Sequence, residues 1–447
     1  MASKSKIARQ GQEKNQKLLQ NKLIGISALV LLIKFVVLAN IPGHFWLGAD
    51  GENYLTALEA LIKDGVFSQE HLLSYWPAGY PLLMFIIAQI SIGNTLILTV
   101  IFQSIFYAVA CAFFVMTLSR TNLRKFMIPT ALVLGFNPTL SLSTLTIGYE
   151  SISASIFLIC IALLAQEFYS GGKRLISHRS IVAAFLLSLS AFVQPRFLLS
   201  GFVFFVIWGV FLKGKKAIAF FLAVSVLILS ILPAGLILRN SKANNFAAVS
   251  TNLGITMNLG AGPGATGAYI KSGYGVPCDP IEGNDAQQDS HLRNCVISWY
   301  ISNPAKSAEL FYNKAKFFWS PWSGPEASGS MARNPWLKVN PLVSIARDSQ
   351  EGNSLVFGNF GKFVSWSWVL GSLTLLAIGS WRLLGMSGIL RVIGFTSVSF
   401  VVLNWAISIG TLGDHRQRLP IMTLSLFLQT IGALSLLNKR KYRIEPD

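Results

Sequence analysis

Apolar stretches alternate with short polar ones along almost the whole chain, from residue 23 to residue 437. Most approach the ~20 residues that a helix needs to cross a ~30 Å hydrocarbon core. They predict crossings near residues 23–39, 95–118, 126–148, 151–168, 180–195, 197–212, 217–238, 361–381, 391–410 and 419–437. Residues 80–92 are as apolar but too short to span comfortably. They predict a re-entrant or interfacial helix on the outer face, started by Pro77 and Pro81. The stretches at 180–195 and 197–212 are also short, and Gln194-Pro195-Arg196 separates them. Such a break is tolerated where backbone lines a protein cavity rather than lipid. The expected fold is an all-α polytopic membrane protein with about ten transmembrane helices, one short outer helix and two extracytoplasmic loops.

Composition strengthens this picture. Apolar residues make up 52% of the chain and charged residues 13%, half of the roughly one quarter usual in soluble domains. The net charge of +18 would suit a nucleic-acid partner, but its distribution excludes one. Lys and Arg gather in clusters between apolar stretches, at residues 4–22, 120–125, 173–179, 213–216, 382–391 and 439–443. That is the positive-inside pattern. Two crossings between each pair of clusters put both termini in the cytoplasm. The first apolar stretch follows a basic tail without a small-residue cleavage site and reads as a retained anchor. The chain then divides into an N-terminal transmembrane module (1–238) whose first outer loop is 40–79, a large extracytoplasmic loop (239–360) and C-terminal transmembrane helices (361–447). Within the large loop, residues 303–318 read as a helix with Pro304 in its first turn.

The chemistry-bearing residues collect on the outer side of this topology. Asp50 begins an amphipathic stretch in which Leu55, Leu58 and Ile62 share one face, with Tyr54 beside it. It can cap that helix by accepting from the amides of Glu52 or Asn53. It can also serve as a general base held at the membrane surface, and the two roles are compatible. Glu150 stands at the outer end of the third crossing, after Tyr149. A carboxylate there either faces water or is functional. Arg196, Arg416 and Arg418 lie on the outer face, where positive charge needs a reason. Bidentate phosphate recognition is one; interface anchoring, or pairing with Asp414 and Glu150, is another. Arg239 ends the seventh crossing and reads first as an anchor. Lys34, inside the first crossing, either snorkels or faces a polar cavity.

Cys111 and Cys160 read as small buried hydrophobes. Cys278 and Cys295 share the large loop and can form a disulfide if that loop is extracytoplasmic, or remain two thiols. His44 and His415 lack partners at metal-ligand spacing, which leaves a divalent metal open but unsupported. No Walker loop, dinucleotide fingerprint or nucleophile elbow occurs. The glycines of Gly260-Ala261-Gly262-Pro263-Gly264-Ala265-Thr266-Gly267 lack the strand-to-helix setting that nucleotide binding needs.

The order of these features resembles the GT-C glycosyltransferases, in particular their protein-mannosyltransferase-like and aminoarabinose-transferase-like branch (families 39 and 83). The resemblance runs over most of the chain. It is carried by Asp50-Gly51-Glu52-Asn53-Tyr54-Leu55, Trp76-Pro77-Ala78-Gly79-Tyr80-Pro81, Asn137-Pro138, Tyr149-Glu150, Gln194-Pro195-Arg196, Arg239-Asn240, Gly262–Gly267 and Gly413-Asp414-His415-Arg416-Gln417-Arg418-Leu419-Pro420. It implies an inverting transfer of sugar from a polyprenyl-phosphate donor to an extracytoplasmic hydroxyl or amine. Asp50 would take the acceptor proton, Glu150 would shape the site, and Arg196, Arg416 and Arg418 would hold the lipid phosphate. Tyr54, Tyr149 and His415 would line the site. The lipid-linked sugar is a co-substrate, no cofactor is called for, and membrane lipids are the surroundings. The implied location is a bacterial inner or plasma membrane. Gly51-Glu52 and His415 depart from the common pattern and leave sugar and acceptor open. A transporter or lipid-linked-sugar flippase is the alternative, because broken helices and intramembrane charge occur there too. No internal repeat supports it.

Overall fold

A computed structural model describes residues 2–40, 47, 50–171, 175–213, 215–268, 275–320 and 358–437, with side chains from residue 18 onward except at 92, 138, 215 and 216. His44, residues 321–357 within the expected large loop, and the terminal basic cluster lie outside the described residues. Helices are the regular structure throughout the described residues.

They run α1 (Ala2–Asn40), α2 (Gly51–Asp64), α3 (Leu72–Tyr75), α4 (Gly79–Ala88), α5 (Thr95–Leu118), α6 (Met127–Phe136), α7 (Pro138–Leu142), α8 (Tyr149–Tyr169), α9 (His178–Val193), α10 (Phe197–Leu212) and α11 (Lys215–Asn244). There follow α12 (Leu253–Leu259), α13 (Asp285–Ser302), α14 (Pro304–Phe318), α15 (Asn359–Leu384), α16 (Gly388–Gly410) and, after a 3₁₀ turn at His415–Ile421, α17 (Met422–Leu437). Among the described residues, seven helices are long and apolar enough to cross a membrane, eight if a bent pair counts as one. Helices α4, α9 and α10 are apolar but shorter. A sixteen-residue helix such as α9 or α10 rises only ~24 Å, short of the hydrocarbon core.

The third expected crossing, 126–148, is not one helix. It is broken into Arg124–Phe136 and Thr139–Leu145, bent by 53°. Pro138 brings no amide hydrogen and pushes the residue before it out of helical conformation, so Asn137 is extended at ψ 116°. The Asn137 side chain restarts the turn by accepting from the Leu140 amide at 2.9 Å. The seventh crossing overruns its expected end at residue 238, so that Arg239 lies inside α11 rather than opening a loop. Its guanidinium donates to the carbonyls of Val66, Ser68 and Leu73 and to the Asn240 side chain. Four acceptors satisfy a buried cation and pull the loop after α2 onto the helix, so anchoring is its role.

Helix α8 is the centre of the bundle: 78% of its apolar window is buried, against 11% for α15. Its far end is fixed by a buried ion pair, Lys213 Nζ to Glu167 at 2.7 Å, and Glu167 also accepts from Ser177 and Ser180. Its near end starts at the site described next. The short helix α4 packs against α2, α5 and α9. A Cβ on Gly79 would sit 2.0 Å from the Phe192 carbonyl oxygen, so the α4–α9 approach requires glycine. In the large loop, α12 packs on α13 through Gly254 N–H to Asp289 (2.6 Å), and a Cys278–Cys295 disulfide ties α13 to the segment before it.

Gly79→Ala is expected to destabilise by more than the ~1–3 kcal/mol usual for overpacking, because the clash is with backbone. Gly93→Ala, which meets nothing within 4 Å, is the control. Thermal unfolding midpoints in detergent check both.

Candidate active site

Three helix starts converge at one end of the bundle. Asp50 precedes α2, Glu150 lies in the first turn of α8, and Arg416 lies in the 3₁₀ turn that leads into α17. The Arg416 guanidinium joins them, with Nη2 donating to Asp50 Oδ2 at 2.6 Å and Nε to Glu150 Oε1 at 2.9 Å. Glu150 is 4% exposed, Arg416 16% and Asp50 19%, so water reaches the Asp50 side of the cluster. Two carboxylates bound to one guanidinium repel each other, and the shared cation offsets that repulsion. Asp414 shapes the turn by accepting from the Arg416 amide at 2.8 Å.

The expected N-cap is not formed. The Asp50 side chain makes no capping bond, and its carboxylate is turned to Arg416, where a full positive charge outbids an amide dipole. Pairing of Arg416 with Glu150 was one of the expected arrangements; its second bond, to Asp50, joins residues 366 positions apart.

Arg196 sits beside the cluster. Its Nη2 reaches the Tyr149 hydroxyl at 3.5 Å, and its guanidinium lies over the Phe197 ring at 5.0 Å. Its Nε is buried and has no hydrogen-bond acceptor among the described residues. Arg418 is held elsewhere. Its Nη2 donates to the Ser320 carbonyl at 2.7 Å and its guanidinium lies over Trp319. His415 is fully buried, 3.3 Å from Ser320 Oγ through Nδ1. Residues 415 and 418 thus fasten the turn to the end of α14, whereas 416 faces the carboxylates. Tyr54 is buried and its ring lies 4.8 Å from that of Tyr80. Cys278 and Cys295 belong to the large loop and pack with Ala261, Val276 and Val296. No group of three or more His, Cys, Asp or Glu side chains at metal-binding distance occurs among the described residues.

A polar seam inside the bundle supports the start of α8. The Lys34 ammonium donates to Thr144 Oγ1 at 3.0 Å and lies over the Tyr107 ring. Thr144 meets Ser104, and Gln103 donates to the carbonyls of Thr144 and Thr146. Tyr80 donates to Gln103 and accepts from the Gly148 amide at 2.6 Å, two residues before Glu150. Lys34 therefore faces a polar cavity instead of snorkelling. The signal for this seam was Gln103-Ser104 within an otherwise apolar stretch.

Lys314 is the residue that sequence reasoning missed. Leu310, Lys314 and Phe318 share the buried face of α14, so a lysine at that spacing between two apolar residues was the available signal. Its ammonium donates to the Tyr300 hydroxyl (2.7 Å) and the Thr411 carbonyl (2.6 Å), tying the large loop to the corner before Arg416. A Cβ on Gly413 would sit 2.6 Å from the Lys314 Cα, and the Gly413 amide donates to Gly267. The glycine run at 260–267 thus serves close packing at this corner. Burial pulls the Lys314 ammonium down from 10.5 to about 7.

No protein-family model matches the chain, and no curated protein matches it. Among solved structures it is similar to the oligosaccharyltransferase of Archaeoglobus fulgidus, solved with a tethered acceptor peptide containing an NVT sequon, at 11% identity and a TM-score of 0.46. The match covers 95% of this chain and 52% of that one, so the chain spans about half the length of that enzyme.

Two outcomes are expected. Arg416→Gln leaves the carboxylates facing each other and costs roughly 3–5 kcal/mol, as for a broken buried pair. In an Asp50→Asn/Glu150→Gln background the same change costs far less, and thermal unfolding of the full cycle measures the coupling. For Lys314, the unfolded chain holds its proton up to about 10.5 while the folded one releases it near 7. Between these values the unfolded state binds more protons, so stability rises with pH and is lowest below 7. Replacing Lys314 by Met is expected to flatten that rise, measured as unfolding midpoints from pH 7 to 9.

Proposed function

We propose that this protein is an inverting glycosyltransferase that moves a sugar from a polyprenyl-phosphate donor to an acceptor hydroxyl or amine on the extracytoplasmic face. The observation that carries the reading is the Arg416 bridge between Asp50 and Glu150, three ionised groups gathered from distant parts of the chain at one end of a membrane bundle. Charges at a membrane boundary are costly to assemble and default to function.

In this reading the acceptor oxygen or nitrogen attacks the anomeric carbon as the bond to the phosphate oxygen breaks, in a single displacement. The acceptor proton passes to the ionised, water-accessible carboxylate of Asp50, and polyprenyl phosphate leaves with the bonding electrons. An aspartate paired to an arginine is a weak base. It suits a proton transferred late, when bond formation has made the acceptor acidic. Arg416 keeps Asp50 ionised and aimed, and Glu150 fixes Arg416 from its buried side. Arg196 is the guanidinium best placed for the phosphate, because its Nε has no acceptor among the described residues and its Nη2 reaches the Tyr149 hydroxyl. A donor there stabilises the charge that grows on the departing phosphate, a large catalytic contribution. Arg418, engaged with Ser320, acts by holding the turn. The activated bond comes with the lipid, so no nucleotide is required.

Transfer of labelled sugar from a panel of polyprenyl-phosphate sugars in proteoliposomes tests this. Asp50→Asn is expected to lower the rate about 10²–10⁴-fold, the usual span for a lost general base. Parent-level transfer by a folded Asp50→Asn protein would remove the mechanism.

A further inference from the structure

The chain leaves α16 at Thr411, where φ −113° and ψ −90° turn it toward the 3₁₀ segment that carries Arg416. Carbonyls at a helix C-terminus lack intrahelical partners and carry the negative end of the helix dipole. At Thr411 the partner is supplied by the large loop, and it is a cation. The Lys314 ammonium, fully buried on α14, donates to the Thr411 carbonyl at 2.6 Å and to the Tyr300 hydroxyl at 2.7 Å. Lys306, on the same helix, shows the ordinary alternative: it pairs with Glu309 at 2.8 Å near the surface.

Packing around this joint leaves no slack. A Cβ on Gly260 would sit 2.7 Å from the Thr411 carbonyl oxygen and 3.0 Å from Lys314 Cε. Tyr300 is itself fixed. It lies on α13, the helix of disulfide-bonded Cys295, its ring packs 5.0 Å from Phe311, and its carbonyl accepts from Ser307 at 2.9 Å. Helix α14 holds the neighbouring chain at two further points. The Ala315 carbonyl accepts from the Trp405 indole at 3.1 Å, and the Ser320 carbonyl accepts from Arg418 at 2.7 Å. Both ends of the stretch that presents Arg416 to the carboxylates are therefore held by the large loop, so a shift of α13 or α14 is passed to Arg416.

We propose that Lys314 is a positioning residue for sugar transfer, coupling the large loop to Arg416 and through it to the Asp50 carboxylate, with Tyr300 holding Lys314 in place. This rests on the transferase reading above and makes the large loop a working part of the site. Two measurements on the full-length protein test it. The first is turnover in proteoliposomes with the same panel of polyprenyl-phosphate sugars. Lys314→Met is expected to lower turnover by up to roughly a hundredfold, the scale of a misplacement of about 1 Å. Tyr300→Phe is expected to lower it less and keeps the test readable if Lys314→Met fails to fold. Lys306→Met is expected to leave it at the parent level. In an Arg416→Lys background, where the two-sided guanidinium bridge is already lost, Lys314→Met is expected to add little. Equal fold-loss in both backgrounds marks a role in folding alone and overturns the proposal, as does parent-level turnover by Lys314→Met. The second measurement needs no substrate: thermal unfolding of Lys314→Met, Arg416→Gln and the double variant. Losses in midpoint are expected to be less than additive, and additive losses overturn the proposal. A parent protein that transfers no sugar, with less-than-additive unfolding, removes the transferase reading and the transfer role of Lys314 with it, while the coupling to Arg416 stands.

Discussion

The arrangement of the end of the bundle that holds Asp50 and Glu150 depends on one guanidinium. Asp50 and Glu150 are drawn to the same side chain, and the repulsion between their carboxylates is offset by the cation they share. Arg416 supplies it, and its position follows from a series of local constraints. The Asp414 carboxylate turns the chain, Arg418 and His415 fasten the turn to Trp319 and Ser320, and Lys314 grips the preceding corner at Thr411. The carboxylates are placed as independently: Glu150 by the rigid start of α8, and Asp50 by α2, whose loop hangs on Arg239. The site is thus the meeting point of three separately stabilised parts.

That division explains why its members are remote in the chain. Each part can be specified locally, by a cap, a proline break or a basic residue offered to backbone carbonyls, with no need for the others to form first. The same logic accounts for the polar seam from Lys34 to Gly148. Inside an apolar bundle every polar group must find a partner, and partners lined up through Thr144, Gln103 and Tyr80 fix the height of the α8 start. A membrane interior makes such bonds specific, because water is not there to substitute.

Much of the fold was legible, because hydropathy reports the location of lipid directly. Helical segments stand at the expected crossings, the third of them broken, and the amphipathic pattern at residues 54–62 marks α2 correctly. Hydropathy was silent where backbone chemistry overrides it. Asn137-Pro138 lies in apolar sequence yet breaks a span, and α11 continues through polar Arg239 because that side chain finds carbonyls to satisfy it. At the site, Asp50, Glu150 and Arg416 could each be singled out by charge in an apolar context. The bond between Asp50 and Arg416 could not, since it depends on how α2 and the turn at 415–421 pack against α8. Lys314 was hidden by its own helix: a basic residue on an amphipathic helix is ordinarily assigned to the wet face.

Helix α8 carries one further consequence. An ion pair fastens each of its ends, Glu150 to Arg416 at one face of the bundle and Glu167 to Lys213 at the other. Axial sliding by even one residue would stretch both bonds, and Glu150 and Glu167 are buried at 4% and 3% exposure. This helix is therefore a fixed ruler across the bilayer. Any motion that keeps both bonds has to carry α8 together with Arg416 and Lys213.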